Sequence, residues 1–474
     1  MTESMNRIHP VLARRRAGVL LHPTSLPGPG PVGRLGAAAE AWVDGLAEAG
    51  FTLWQTLPLC PPDSLGSPYQ SCSVFAGDER LVDPGLTPAQ WDAVQHALAM
   101  DDHLHARFEA FCAAEAHWLE DFALFQAIKA QEGAPWHAWP APLRDRDAVA
   151  LERASSDLAA SMAQTRTAQF FFDVQWRALR QRAHERGVLL FGDLPIFVAH
   201  DSADVWAHPD LFHLDETGQM TQVAGVPPDY FSVDGQLWNM PHYRWEVLAA
   251  QGYRWWIDRM RRQGAWFDLI RIDHFRGFES AWAVPAGAPN AVHGVWQPAA
   301  GAALFAAIES ALGPQALVAE DLGLITPEVD ALRLGLGMPG MRVLQFAFDS
   351  DAQNPHLPHN FEPLSVVYPG THDNPTLCGW WRTLPQVRKD EIQAYLGFSS
   401  VQMPDAIIHL ALASVARLAI VAAQDLLALG DEARMNTPGT VDGNWSWRME
   451  ATHWHEAWRA KWHPELIRYG RLSL

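Results

Sequence analysis

The chain has 474 residues, 48% hydrophobic and 19% charged, ample for a large core. Its 35 basic and 54 acidic side chains leave a formal charge of −19, which argues against nucleic acid or an anionic membrane as main partner, because phosphate binding needs a basic footprint. Cys60, Cys72, Cys112 and Cys378 are scattered with no CxxC pair, so neither a disulfide framework nor a zinc knot is expected and a reducing compartment fits.

At the N-terminus Arg14, Arg15 and Arg16 precede only Val19, Leu20 and Leu21 before His22-Pro23. A secretory h-region needs about 7–15 apolar residues, so no signal peptide is expected and the location is read as cytoplasmic. Short, continuously apolar runs, the pattern of parallel strands buried on both faces, fall near 18–22, 51–57, 188–193, 267–272, 316–320, 341–346, 365–369 and 418–422. Helical patterns lie between most of them, at 37–49, 170–186, 245–262 and 302–312. The stretch 406–429 is interrupted by His409, Arg417, Gln424 and Asp425, and reads as a buried helix followed by a strand, not a membrane span.

Eight strands alternating with helices favour a closed barrel over an open doubly wound sheet, and no Gly-x-Gly-x-x-Gly follows the first strand. The expected fold class is α/β, a (β/α)8 TIM barrel in a single catalytic domain spanning 1–474. Such a barrel needs roughly 250 residues, so additions are required. They are expected on the C-terminal rim: a mainly helical subdomain at about 60–165, cleft loops at 200–244 and a further cleft loop at 431–447.

Four of the apolar runs end on an acid: Asp193 in LLFGDLPIF, Asp273 in FDLIRIDHF, Glu320 in ALVAEDLG and Asp373 in VVYPGTHDN. Barrels present catalytic groups at these strand ends, and paired carboxylates suit glycoside cleavage. Residues i and i+2 of a strand share a face, so Arg271 and Asp273 project together into the mouth with Ile272 toward the helices. A guanidinium there keeps a nucleophilic carboxylate ionised; the bland alternative is a plain ion pair. A carboxyl group at the end of an apolar strand such as ALVAE can have its pKa raised by desolvation, which would suit Glu320 as a general acid, while Asp321 fits a helix-capping role in the following turn. Asp373 alone reads equally well as an Asx-turn. Trp is abundant at 22 residues, which serves core packing and also stacking on sugar rings. His103-x-His105 and His453-x-His455 mimic metal pairs, but i and i+2 do not share a helical face; no metal and no cofactor are expected.

GDLPIFV (192–198), RIDHF (271–275), AEDLG (319–323) and THDN (371–374) resemble, in order, the four short motifs of the alpha-amylase clan. SPYQSCSVFAG (67–77), PPDYFS with GQLW (227–238) and NTPGTVDGNWSWR (436–448) resemble more closely the 4-alpha-glucanotransferases, or amylomaltases. The resemblance implies Asp273 as nucleophile, Glu320 as acid/base and Asp373 as transition-state stabiliser, with Arg271 orienting the nucleophile. It implies Asp193, His274 and His372 around the sugar at the cleavage point, and Tyr69, Gln236, Trp238 and Asn444 in loops that cover or line the groove. The implied reaction is retaining, through a covalent glucosyl-enzyme, with the two carboxyl groups about 5–5.5 Å apart. Partners would be maltooligosaccharides and other alpha-1,4-glucans, with glucose as acceptor, and no nucleic acid or membrane; monomer or weak dimer stays open. Two departures stand out: Trp238-Asn239-Met240-Pro241 replaces the family's common Trp-Gly-Asn-Pro, and Pro375 follows THDN where an acid is often found. The first bears on the mobility of its loop. Rival readings are a hydrolase of the same clan, a catalytically dead glucan-binding protein and a metal-dependent barrel hydrolase.

Overall fold

The computed structural model describes residues 8–83, 93–94, 96, 98–228, 232–397, 402–450 and 454–472. In chain order its strands are β1 (Arg16–Leu20), β2 (Leu53–Gln55), β3 (Leu189–Pro195), β4 (Gln222–Val226), β5 (Gln236–Pro241), β6 (Leu269–Asp273), β7 (Ser280–Pro285), β8 (Val295–Pro298), β9 (Leu317–Ala319), β10 (Gly340–Val343), β11 (Ser365–Tyr368) and β12 (Leu418–Ala422). Eight of them close in the order β1-β12-β11-β10-β9-β6-β3-β2, and every pair is parallel. These are the eight apolar runs of the sequence, displaced by a few residues at their ends.

Alternation along each strand divides the core. Leu20, Phe191, Leu269, Val318, Tyr368 and Ile420 fill the barrel interior. Val19, Leu190, Ile270, Ile272, Val367 and Val421 face outward into the layer beneath the helices. The polar end of the interior belongs to the mouth, where Arg271 and Asp273 continue the inward row begun by Leu269. Gly192 brings β3 close to its cover: a Cβ there would lie 2.2 Å from the Phe267 ring.

Helix Ala37–Ala49 follows β1 and ends on Gly50 at φ 89°. The C-terminal helix His455–Arg468 covers it, with the Trp454 and Trp458 rings 4.9 and 5.9 Å from Trp42. Between β2 and β3 stand Asp102–Glu132, capped by the Asp101 side chain, then Ala141–Arg144, Ala148–Asp157 and Ala159–Glu185. The helix expected at 170–186 is the second half of the last. The helix expected at 245–262 is two, Trp245–Ala250 and Arg254–Trp266, because Gly252 and Tyr253 between them adopt φ 64° and 57°. The stretch 406–429 resolves into helix Asp405–Ala413, β12 and the short helix Ala423–Leu426. No helix among the described residues is long and apolar enough to cross a membrane.

One unit went unanticipated. Strands β5-β4-β7-β8 form an antiparallel sheet beside the barrel mouth, built partly from the 200–244 excursion and partly from the segment after β6.

Candidate active site

Strand register assembles the centre of the mouth. In the β3–β6 ladder Asp193 lies opposite Arg271, and Pro195 opposite Asp273. Arg271 donates through one terminal nitrogen to both oxygens of Asp193, each at 2.7 Å, while its other terminal nitrogen is 2.8 Å from Asp273 Oδ1. Burial opposes a charge on Arg271, but the two carboxylates beside it outweigh that and hold its pKa well above the usual value. The guanidinium thus stays cationic and fixes Asp273, whose side chain keeps 28% of its surface open to the cleft.

Glu320 follows β9. The Glu320 N–H donates to the Ile272 carbonyl at 3.0 Å, and the Phe275 N–H to the Glu320 carbonyl at 3.1 Å, which ties the acid to the strand carrying Asp273. Its carboxyl group accepts from the His274 N–H at 2.7 Å and the Leu322 N–H at 2.9 Å. Desolvation, reinforced by the Asp273 charge, pushes the carboxyl up to about 7, against the opposing pull of Arg271 and the two N–H donors. One carboxylate is pinned to a cation and its neighbour holds a proton near neutrality, the division of labour a two-carboxyl glycosidic centre needs.

Asp373 stands on the turn after β11, where Thr371 donates its N–H and Oγ1 to Asn374 Oδ1, both at 2.8 Å. Its Oδ1 accepts from Asn436 Nδ2 at 2.6 Å and lies 3.4 Å from His372 Nε2. The side chain that closes the turn is that of Asn374, reaching back to Thr371, and Asp373 forms no Asx-turn; its carboxylate faces the cleft, with 44% of its side chain exposed.

His274 adopts φ 50°, which turns its N–H to Glu320 and its ring to Trp238, 4.7 Å away and nearly perpendicular. Burial lowers its pKa to about 4, so the ring is neutral; its buried Nε2 finds no hydrogen-bond partner among the described residues. Tyr69 donates to Asp193 Oδ2 at 2.7 Å and stacks on His372, with centroids 5.3 Å apart and planes 12° from parallel. One face of Tyr69 is therefore already covered, which leaves at most the other for a glucan.

A cleft of about 940 Å³ opens over this centre, lined among others by Arg271, Asp273, His274, Glu320, Asp373, Gln236 and Trp238. Tyr69, Asp193 and His372 form a connected layer against this centre, Asp193 on Arg271, Tyr69 on both Asp193 and His372, and His372 3.4 Å from Asp373. Asn444 is placed differently: it accepts the Thr437 N–H at 2.9 Å and donates to Thr440 at 3.0 and 3.2 Å, so its amide closes its own loop. Asp321 caps no helix; it is buried, accepts the Met341 N–H at 2.6 Å and pairs with Arg333 and Arg342. Arg276, Trp296, Gln345, Phe346 and Arg434 also line the cleft and were not singled out from sequence. The position of Arg276, three residues past Asp273, was the available signal; the others come from distant segments. His105 lies 3.9 Å from Glu109 along its own helix. Among the described residues no group of three or more His, Cys, Asp or Glu is arranged to hold a metal ion. His453 falls outside the described residues.

The sequence profile of the family described as 4-alpha-glucanotransferase matches residues 21–103 and 87–453. The 4-alpha-glucanotransferase of Thermus thermophilus is 48% identical over 92% of this chain and 95% of its own length. That of Synechocystis is 44% identical over 92% and 94%. The amylomaltase of Streptococcus agalactiae, solved in complex with acarbose, superimposes with a TM-score of 0.92 at 34% identity, covering 97% of this chain and 100% of that one. The amylomaltase of Corynebacterium glutamicum, at 17% identity and a TM-score of 0.76, shares the fold.

Proposed function

Because the chain belongs to the 4-alpha-glucanotransferase family and is a glycosyltransferase of alpha-1,4-glucans, we propose that it works by a retaining double displacement on Asp273, Glu320 and Asp373. Glu320 protonates the leaving glycosidic oxygen while an Asp273 oxygen attacks the anomeric carbon, so the glycosidic bond breaks as an ester bond forms. Glu320, now ionised, then takes the proton of an incoming 4-hydroxyl, whose oxygen displaces Asp273 and restores the α-linkage. Asp373 binds sugar hydroxyls and stabilises positive charge spreading over the ring. His274, with its unpartnered Nε2, and the Asp193–Tyr69–His372 layer hold the sugar at the cleavage point, and Gln236 and Trp238 line the groove.

The observation that carries this reading is the contrast between neighbours: Asp273 on Arg271 at 2.8 Å, Glu320 with its pKa pushed up to about 7. Donors and acceptors are maltooligosaccharides, with glucose the smallest acceptor. Residues 1–474 act as one catalytic domain, with about 60–165, 200–244 and 431–447 elaborating the rim. The four cysteines are unbonded, in keeping with a cytoplasmic enzyme, monomeric or weakly dimeric.

The test is a trapping experiment. Glu320→Gln given an α-glucosyl or maltosyl fluoride, which needs little acid help to leave, should accumulate glycosyl-enzyme. Mass spectrometry of its peptides should find the sugar on Asp273; a label on any other residue refutes the assignment. Asp273→Asn should form no adduct and transfer nothing.

A further inference from the structure

The turn carrying Asp373 does not hold the carboxylate by itself. A second segment, the loop after β12, reaches across and grips it at several points. Asn436 Nδ2 donates to Asp373 Oδ1 at 2.6 Å, and the Asn436 N–H donates to the His372 carbonyl at 3.1 Å. Arg434 donates its Nε to the Asn436 carbonyl at 2.7 Å and a terminal nitrogen to the Asp373 carbonyl. The far end of the loop is tied back by the Trp445 N–H on the Met435 carbonyl at 2.7 Å.

We propose that Asn436, locked by Arg434, is the positioning residue for the Asp373 carboxylate. The inference rests on the reading of Asp373 as transition-state stabiliser. The chemistry of the grip supports it. Arg434 directs its Nε and one terminal nitrogen to two backbone carbonyls, so it fixes the turn while the side-chain hydrogen bond to the acid is left to Asn436. The hydrogen bond to the carboxylate comes from a neutral amide, which shares Oδ1 with the His372 ring at 3.4 Å, fixes the rotamer and leaves Oδ2 for the sugar. Asn436 thus acts through Asp373 and His372, with no contact to substrate required. A glucan ring should be bound almost as well without it, but the charge developing on that ring should be met by a wandering carboxylate.

The test is a double-mutant cycle between Asn436→Ala and Asp373→Asn, run on the full chain with maltotriose and with maltosyl fluoride. Alone, Asn436→Ala should lower kcat about 10- to 100-fold with both donors, while KM for maltotriose stays within about threefold. On the Asp373→Asn background it should cost less than about threefold. Arg434→Met should reproduce the kcat loss of Asn436→Ala, its KM being no criterion because Arg434 also lines the cleft; Asn436→Ser, which retains a donor, should recover part of the loss and serves as the probe if the alanine variant misfolds. Additive losses, or a KM that rises in step with the fall in kcat, would reduce Asn436 to a loop-folding residue and overturn the proposal. If Asp373→Asn itself keeps activity within about threefold, the stabiliser reading fails first, an outcome recognisable from that single variant.

Discussion

In the proposed mechanism Glu320 gives up a proton in the first step and regains one in the second. Its folded-state pKa of about 7 is raised by desolvation and then by Asp273, so the free enzyme is protonated below about pH 7 and ionised above. The expected kcat/KM for maltotriose therefore falls on the alkaline side, tending to tenfold per pH unit beyond about 7. Glu320→Gln should be slow at every pH and lose that limb; a wild-type profile flat to pH 9 would refute Glu320 as the acid. The same shift has a stability consequence of definite sign. A carboxyl raised on folding stabilises the native state below its unfolded pKa, and that contribution is lost as pH rises through about 7. The pairing of Arg271 with Asp273 was legible because the period of a strand is two, and Ile272 between them does face the helices. The grip of Asn436 on Asp373 was not, since 63 residues separate them and only the tertiary fold brings the two turns together. Asp321 misled for a related reason: an acid two residues past a strand looks like a cap until Arg333 and Arg342 arrive from the following helix and strand.

Strand β5 explains the departure at Asn239. Opposite it, Gly225 and Val223 of β4 pair with Leu237 and Pro241, so Trp238, Asn239 and Met240 together face Ala224 alone. This bulge needs a left-handed residue, and Asn239 supplies it at φ 54°. Asn is the residue that tolerates this region best after Gly, so the substitution preserves the backbone that presents Trp238 to the cleft. Asn239→Gly should leave activity within about twofold. Asn239→Val, forced into a conformation costing about 1–3 kcal/mol, should lower thermal stability by about that amount and displace Trp238, raising apparent KM about 2- to 13-fold, as should Trp238→Ala through loss of stacking worth about 0.5–1.5 kcal/mol. Steady-state kinetics on maltotriose with thermal unfolding of each variant checks this; a neutral valine would mean that the bulge does not present Trp238. The barrel strands were readable because burial on both faces makes them continuously apolar. The side sheet was not: β5 carries Gln236, Asn239 and Pro241, β8 is four residues ending in Pro298, and neither shows the strict alternation of a longer strand. The broken helix at Tyr253 kept its apolar period on both sides, so the pattern ran through a turn that only backbone conformation reveals.

At the scale of the whole molecule, the proposed mechanism leaves the fate of the glycosyl-enzyme to the long excursions from the barrel. The chemistry of the first step is common to transfer and hydrolysis, so the carboxylates cannot separate them. Water at about 55 M faces an acceptor at millimolar level, a deficit of roughly ten-thousandfold, or about 5.5 kcal/mol. Orienting a bound hydroxyl supplies that margin, since effective molarities reach about 10⁵–10⁸ M. The cleft of about 940 Å³ is large beside one sugar ring, and its walls come from several separate places, among them β4 and β5 with Val226, Pro227, Gln236 and Trp238, the post-β9 turn with Leu322 to Leu324, the post-β10 segment with Gln345, Phe346 and His356, and the post-β12 loop with Arg434 and Pro438. In the proposed reaction an acceptor held by such walls would present its 4-hydroxyl to Glu320 and keep solvent from the same position. Incubated with maltotriose, the protein should give glucose and a ladder of longer maltodextrins while total reducing ends stay nearly constant, because each transfer makes one glycosidic bond for each it breaks. Added glucose should speed turnover of the glycosyl-enzyme and shorten the ladder. Reducing ends that climb in step with bond cleavage, with no product longer than the substrate, would mean that the walls fail to hold an acceptor against water.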